Sequence, residues 1–404
     1  MRTPFGCTCL ILSSLLPLLS GCGDGATETQ ATGTDPTTGF ETSTGPTTDE
    51  PTTEVTTEGP TGTDSESDVS TTEEPTTTDG TDTDTDTDTD TSGNEPVPGA
   101  LCDPIPNCEA PLPGDGDISE ALNHRGYDMF YRETDDQWIL AKFAEGNVFD
   151  FDLEDEEVSI YLLRGCSGEW EFLGTAFTTD DDDHPTVEGV EDTGGRLYFQ
   201  IPEDMKLGLG RHRIHMILED DNSRADQYID VVPEGAPMFI SDVDGTLTTS
   251  EFEEFGDLLT GDTPEANSYA AGALTLLESK GYHPMYMTAR PEFLYKRTRD
   301  FIRVRGFPHG LVRTSLSKDG ALGDEAIVYK TGQLDALANK GLAPTYVIGN
   351  SETDAAAYDN AGILPLENRI FYQYTDDAHG GRRIESYEEL LAEFEALPDL
   401  CGDN

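Results

Sequence analysis

The sequence predicts an α/β domain on a parallel, doubly wound, Rossmann-like sheet over residues 237–400, preceded by an all-β sandwich over 101–233 and a disordered acidic tether over 23–100. Three observations lead there. In the C-terminal part, short apolar runs alternate with helical patterns, as in βαβ units. In the middle part, short alternating runs are broken by turn-rich acidic stretches, as in antiparallel strands. The N-terminal part consists mainly of Thr, Asp, Glu, Gly, Pro and Ser, with no Lys or Arg between Arg2 and Arg125. Such a composition buries too little apolar surface to offset the entropy of ordering.

Taken in order, the chain opens with Arg2 and an apolar run over 10–19, too short to span a bilayer, that leads into Leu19-Ser20-Gly21-Cys22. This segment, 1–22, resembles a bacterial lipoprotein signal. The resemblance implies cleavage before Cys22, lipidation of Cys22 and a bacterial cell-envelope location, at the outer membrane or the periplasmic face. An ordinary secretory signal with an incidental cysteine is the alternative. Multiple acylation anchors stably where one chain binds marginally. The tether carries a Thr-Asp repeat over 81–91, and its length of about 75 residues gives a reach on the order of 50 Å. It reads as a solvated stalk, with loose Ca²⁺ binding or O-linked sugars as alternatives.

Cys7 and Cys9 would leave with the signal, so that Cys102, Cys108, Cys166 and Cys401 remain as an exported, oxidisable set. Four cysteines permit three pairings. Local spacing favours Cys102 with Cys108, leaving Cys166 with Cys401 to tie the two folded regions together. With no Cys-x-x-Cys, a metal cluster is not expected. The sandwich strands are expected at 158–163, 196–201, 213–218 and 227–232. His212 and His215 alternate on one of them and read as packing or surface residues. The acidic run 180–183 reads as a solvated loop or a weak Ca²⁺ site.

The α/β domain begins with Phe239-Ile240-Ser241-Asp242-Val243-Asp244-Gly245-Thr246, an apolar run ending in two carboxylates two residues apart. At a strand end entering a glycine turn, both can converge on one ligand. That pattern suits a hard cation and a phosphate, although an acidic turn in an acidic chain would look the same. A helix is expected over 264–280, a strand over 283–287 ending in Thr288-Ala289-Arg290-Pro291, and a further helix. Then come a short strand near Leu311, a helix carrying Lys330, and a strand over 345–348 ending in Gly349-Asn350-Ser351-Glu352-Thr353-Asp354. Each polar motif falls at the carboxyl end of a strand, where open α/β sheets bind ligands. The motifs are spaced by about 40 residues, which leaves no room for a large cap domain.

These pieces, in this order, resemble the haloacid dehalogenase phosphatase superfamily. Tyr286 to Pro291, the Tyr329-Lys330 pair and the Gly349-Asn350 start are most similar to its lipin-type phosphatidate phosphatase domain, which also closes phosphatidylinositol-transfer proteins of the retinal degeneration type. The resemblance implies that Asp242 is the nucleophile, Asp244 the acid and base, and Thr288 a phosphoryl hydrogen-bond donor. It also implies that Lys330 balances charge, with Lys318 as competitor, and that Gly245 and Thr246 touch substrate. Mg²⁺ would be held by Asp242, Asp244 through its backbone carbonyl, and Asn350, with Asp354 a direct ligand or a support behind one. The family's β-sandwich region also precedes its catalytic domain.

Lys296, Arg297, Arg299, Arg303 and Arg305 closely follow Arg290, in a chain of 24 basic and 81 acidic residues and net charge −57. Arg290 is the candidate for substrate binding, and the distal arginines read as a solvated helix face. The charge disfavours nucleic acid as a partner. An open site beside a membrane anchor fits a lipid phosphate handled by a monomeric phosphatase. A non-catalytic lipid sensor and a surface scaffold are the alternatives.

Overall fold

The computed structural model describes residues 95–113, 123–146, 151–249 and 263–402. The signal, Cys22 and the tether up to residue 94 lie outside the described residues. The sandwich comprises β1 (Arg125–Gly126), β2 (Met129–Tyr131), β3 (Trp138–Lys142), β4 (Ala144–Glu145), β5 (Phe151–Asp152), β6 (Glu157–Leu163), β7 (Glu171–Phe177), β8 (Arg196–Gln200), β9 (Gly210–Leu218) and β10 (Arg224–Val231). The sheet β1-β3-β8 faces the sheet β2-β10-β9-β6-β7, while β4 and β5 form a ribbon. Tyr131, Ile139, Val158, Ile160, Leu162, Leu197, Ile214, Met216 and Ile229 fill the space between. The strands are antiparallel except where β2 runs parallel to β10, a departure from the expected all-antiparallel sandwich. This parallel edge brings Asp128, next to β2, up against the second domain.

That domain follows as β11 (Met238–Asp242), α1 (Ala270–Ser279), β12 (His283–Pro291), α2 (Tyr295–Val304), β13 (Leu311–Ser315), α3 (Asp324–Asn339), β14 (Tyr346–Gly349), α4 (Glu352–Asn360), β15 (Arg369–Tyr372), β16 (Arg382–Ile384) and α5 (Glu388–Glu395). Its six strands are all parallel, in the order β13-β12-β11-β14-β15-β16. Strands covered on both faces need apolar side chains on both. Phe239, Tyr286, Val312, Ile348 and Ile370 pack on one face with residues of α1, α2 and α5. Met238, Ile240, Met285, Met287 and Val347 pack on the other with residues of α3 and α4. This is the doubly wound sheet that the alternating pattern implied.

Two local features depart from the regular pattern of this domain. The expected helix over 264–280 starts only at Ala270, because Tyr269 has φ 67°, a left-handed conformation that stops helical winding on its N-terminal side. Between Thr288 and Pro291 the β12–β13 register shifts, so Ala289 and Arg290 bulge out of the ladder. Residues 250–262, just after the first motif, lie outside the described residues. No helix among the described residues is long and apolar enough to cross a membrane.

The disulfides are Cys102–Cys401 and Cys108–Cys166. Both expected pairings are therefore wrong. Local spacing misled because Cys108 lies against Leu163 and Cys166 in a small core of its own. The segment around Cys102 runs along the second domain instead, with Leu101 N–H donating to Gly281 O (2.8 Å). His212 and His215 are packing residues, hydrogen-bonded to the Gly208 carbonyl (2.8 Å) and to Asp226 (2.9 Å).

Candidate active site

The carboxyl ends of β11, β12 and β14 and the N-terminal half of α3 enclose a cleft of about 360 Å³ lined by Asp242, Asp244, Arg290, Lys330 and Asn350 among others. Asp242 ends β11 and is 3% exposed. Lys330 reaches it from α3, with Nζ 2.9 Å from Asp242 Oδ1 and 2.6 Å from Asp354 Oδ1. Lys318, the competitor, is on an exposed loop and pairs with Asp152 of the sandwich. Burial above all, then the charges of Asp354 and Asp244, push the Asp242 carboxyl up to about 7, with Lys330 opposing. Burial disfavours the ammonium of Lys330, yet Asp242 and Asp354 hold its pKa above the usual lysine value.

After Asp242 the chain turns through Gly245, whose φ of 67° is costly for a side chain with a Cβ. The Gly245 N–H donates to Thr248 Oγ1 (3.0 Å), and Thr246 is fully buried. Neither is among the residues lining the cleft. The Thr246 hydroxyl instead lies 2.8 Å from Asp242 Oδ2 and 2.9 Å from Asn350 Oδ1. It bridges these two oxygens, and carboxylate and amide oxygens are the kind of donor a hard cation takes. Among the described residues no three His, Cys, Asp or Glu side chains could hold a metal.

Asp354 is fully buried and away from the cleft lining. Its Oδ1 faces Lys330, and its Oδ2 accepts from Asn350 N–H, Ser351 N–H and the Ser351 hydroxyl (3.1, 3.2 and 2.7 Å). A Cβ on Gly349 would come 2.5 Å from the Asp354 Cβ, so glycine is what lets the carboxylate in. Of the two roles expected for Asp354, these contacts fit support from behind rather than ligation. Ser351 and Asp354 form the capping box of α4. The Ser-x-x-Asp spacing could have revealed that from sequence.

Asp244 and Arg290 differ most from expectation. Arg290 Nε and a terminal nitrogen lie 2.8 and 2.6 Å from Asp244 Oδ1, and the Thr288 hydroxyl donates to Oδ2 (2.7 Å). Arg290 also donates to Thr298 Oγ1 (3.1 Å), on α2. Its partner within the protein is thus the catalytic-acid candidate, reached from the bulge after Thr288. The distal basic residues are not one solvated face either. Arg299 is paired with Asp128 (2.9 Å) and lies over the Tyr228 ring at 3.5 Å, and Arg305 donates to the Pro264 and Thr263 carbonyls.

Two buried acids missed in the sequence join the sandwich to this site. Asp128 accepts from Tyr228 N–H, the Tyr295 hydroxyl, Val312 N–H and Arg299, spanning both domains. Glu292, two residues after Arg290, pairs with Arg196 (2.8 and 2.9 Å) and Arg125 (3.0 Å) of the sandwich. Burial works against its charge, but Arg125 and Arg196 prevail and hold its carboxyl at about 2.

Residues 239–372 match the family model described as the LNS2 domain of PITM 1-3, and residues 122–231 match that of the PITM 1-3 β-sandwich domain. The former is a family of the lipin/Ned/Smp kind. The chain is similar to protein retinal degeneration B of Drosophila melanogaster, at 29% identity over 60% of this chain and 18% of that protein. It is also similar to membrane-associated phosphatidylinositol transfer protein 2 of Mus musculus, at 27% over 61% of this chain and 17% of that protein. For protein 1 of Homo sapiens the identity is 26%, over 61% of this chain and 18% of that protein. The chain spans less than a fifth of the length of these curated relatives. Among solved structures, a HAD-like phosphatase of Mesorhizobium loti is 18% identical, covering 43% of this chain and 90% of that one at a TM-score of 0.31, a likeness too small to bear on function. The relatives are eukaryotic, which overturns the expected bacterial cell-envelope location.

Proposed function

We propose that the chain is a Mg²⁺-dependent phosphatase that hydrolyses a lipid phosphate monoester, phosphatidate in the first instance, through an aspartyl-phosphate. The observation that carries this reading is the ion pair of Asp242 with Lys330 at 2.9 Å, in the same cleft as Asp244 and Asn350. An Asp242 oxygen attacks phosphorus, the ester P–O bond breaks, and Asp244 gives its proton to the leaving alcohol. Asp244 then takes a proton from water, whose oxygen attacks phosphorus and releases phosphate from Asp242. Lys330 balances the charge on Asp242 and the phosphoryl oxygens. Thr288 and Arg290 hold Asp244 until a phosphoryl group competes for their donors. Mg²⁺, held by Asp242, Asn350 and the Asp244 carbonyl, would offset repulsion between the carboxylates and the anionic substrate. Lipid as the substrate class rests on the relatives, two of which are named for phosphatidylinositol transfer and membrane association.

The test is phosphate release by the full chain from phosphatidate vesicles and from an aryl phosphate, with chelator and with Asp242→Asn. Release lost in both controls is expected, by at least about a thousandfold for the variant. Release that survives Asp242→Asn would sink the aspartyl mechanism. A second reading, lipid-phosphate binding without turnover, is favoured by the engagement of both Asp244 oxygens. Vesicle binding by wild type with no phosphate released would establish that reading instead.

A further inference from the structure

We infer that Leu322 and the apolar wall it completes select for an apolar alcohol on the phosphate ester, with Leu322 the specificity-determining side chain. This rests on the phosphomonoester reading of the same cleft. The lining divides into two sides. Asp242, Asp244, Arg290, Lys330, Asn350, Ser351 and Thr353 bring charge and hydrogen-bonding groups, whereas Ala289, Ala321, Leu322, Gly323 and Ala326 bring none from their side chains. A cleft of about 360 Å³ is in the range that holds a whole small ligand, so a phosphoryl group at the acidic end leaves most of it to the alcohol.

Sugar or nucleoside hydroxyls against that wall would lose water without gaining side-chain partners. An aliphatic or aromatic alcohol loses nothing there and buries carbon. Leu322 is 67% exposed at this wall, which is unusual for leucine. Its exposure does not come from a loose loop. Leu316 packs on the sandwich core, Lys318 pairs with Asp152 at 3.3 Å, and Ala321 N–H donates to Ala289 O at 2.9 Å. The loop is pinned on the N-terminal side of Leu322, and α3 begins at Asp324, just after it. Asp319, Asp324 and Glu325 are exposed around it, so a densely anionic surface is repelled, and among the residues lining the cleft Leu322 is the exposed large apolar side chain.

The apolar alcohol could be that of a bilayer lipid or of a dispersed molecule, and the experiment separates them. The full chain and Leu322→Ser are compared on phosphatidate at low mole fraction in phosphatidylcholine vesicles, on short-chain soluble phosphatidate, on an aryl phosphate and on glycerol phosphate. Wild type is expected to prefer the apolar esters to glycerol phosphate by kcat/KM. Leu322→Ser is expected to lower that preference about tenfold or more. A fall confined to vesicles assigns the wall to bilayer contact, and a fall with all three apolar esters assigns it to the alcohol itself. An unchanged preference, or a wild type that favours glycerol phosphate, overturns the inference and leaves the phosphatase reading standing. If wild type releases phosphate from nothing, that reading falls, and the wall is judged by vesicle co-sedimentation. Weaker binding by Leu322→Ser then supports it, and equal binding overturns it.

Discussion

At the scale of single residues, the site conflicts with stability, and that conflict is testable. Asp242 has its carboxyl raised to about 7 from an ordinary 3.8, so the folded state holds the proton more tightly than the unfolded chain. Its contribution is therefore favourable at low pH and is lost as pH rises through about 7. Asp242→Asn should accordingly raise Tm at pH 8 by about 3 °C while abolishing activity, and the gain should shrink toward pH 5, as differential scanning calorimetry can show. Lys330→Met should do the reverse, leaving Asp242 and Asp354 buried without their cation at a loss of about 3–5 kcal/mol. Combining the two should cost less than their sum, since a neutral amide in place of the Asp242 carboxylate no longer calls for the ammonium; additive urea-unfolding energies would refute the coupling. Asp242, Asp244 and Lys330 were legible in the sequence because a strand end, a glycine turn and a helix fix their neighbourhood locally. The partnership of Arg290 with Asp244 was not, because a bulge in β12, invisible in the residue pattern, decides where Arg290 points.

Among the elements, the parallel doubly wound sheet could be read because its central strands are apolar on both faces, as Phe239 and Ile240 of β11 illustrate. The seam with the sandwich could not, because beside apolar contacts such as those of Phe130 and Leu316 it holds buried charged residues that look solvent-facing in one dimension. Glu292 is the telling case. Its carboxyl lies at about 2 in the fold against an ordinary 4.5, so its pairing stabilises fully above pH 4.5 and is lost as pH falls toward 2. The size is about 3 kcal/mol. Glu292→Gln should therefore lower the urea midpoint at pH 7, and the gap from wild type should close by pH 2–3; a pH-independent gap would show that shape rather than charge matters. Because Glu292 adjoins the β12 bulge, the sandwich holds in place the segment that carries Thr288 and Arg290.

For the molecule as a whole, the sandwich and the α/β domain unfold together if the buried pairs at Asp128 and Glu292 count as core. A single calorimetric transition for the full chain is expected, and two separated transitions would contradict it. The Cys102–Cys401 bond closes a separation of 299 residues, which no local spacing could suggest. Cys102→Ser should cost about 2–4 kcal/mol of stability, read from the urea midpoint against wild type under oxidising conditions. The two disulfides have a mechanical consequence too. Tension arriving along the chain from residue 95 meets Cys102 first, which passes load to the C-terminal end of the α/β domain, and then Cys108, which passes the remainder to Cys166 in the sandwich. Cys102 enters beside Gly281, just before β12 begins, at the opposite edge of the sheet from the cleft. A pull from that side therefore grips both domains separately and covalently.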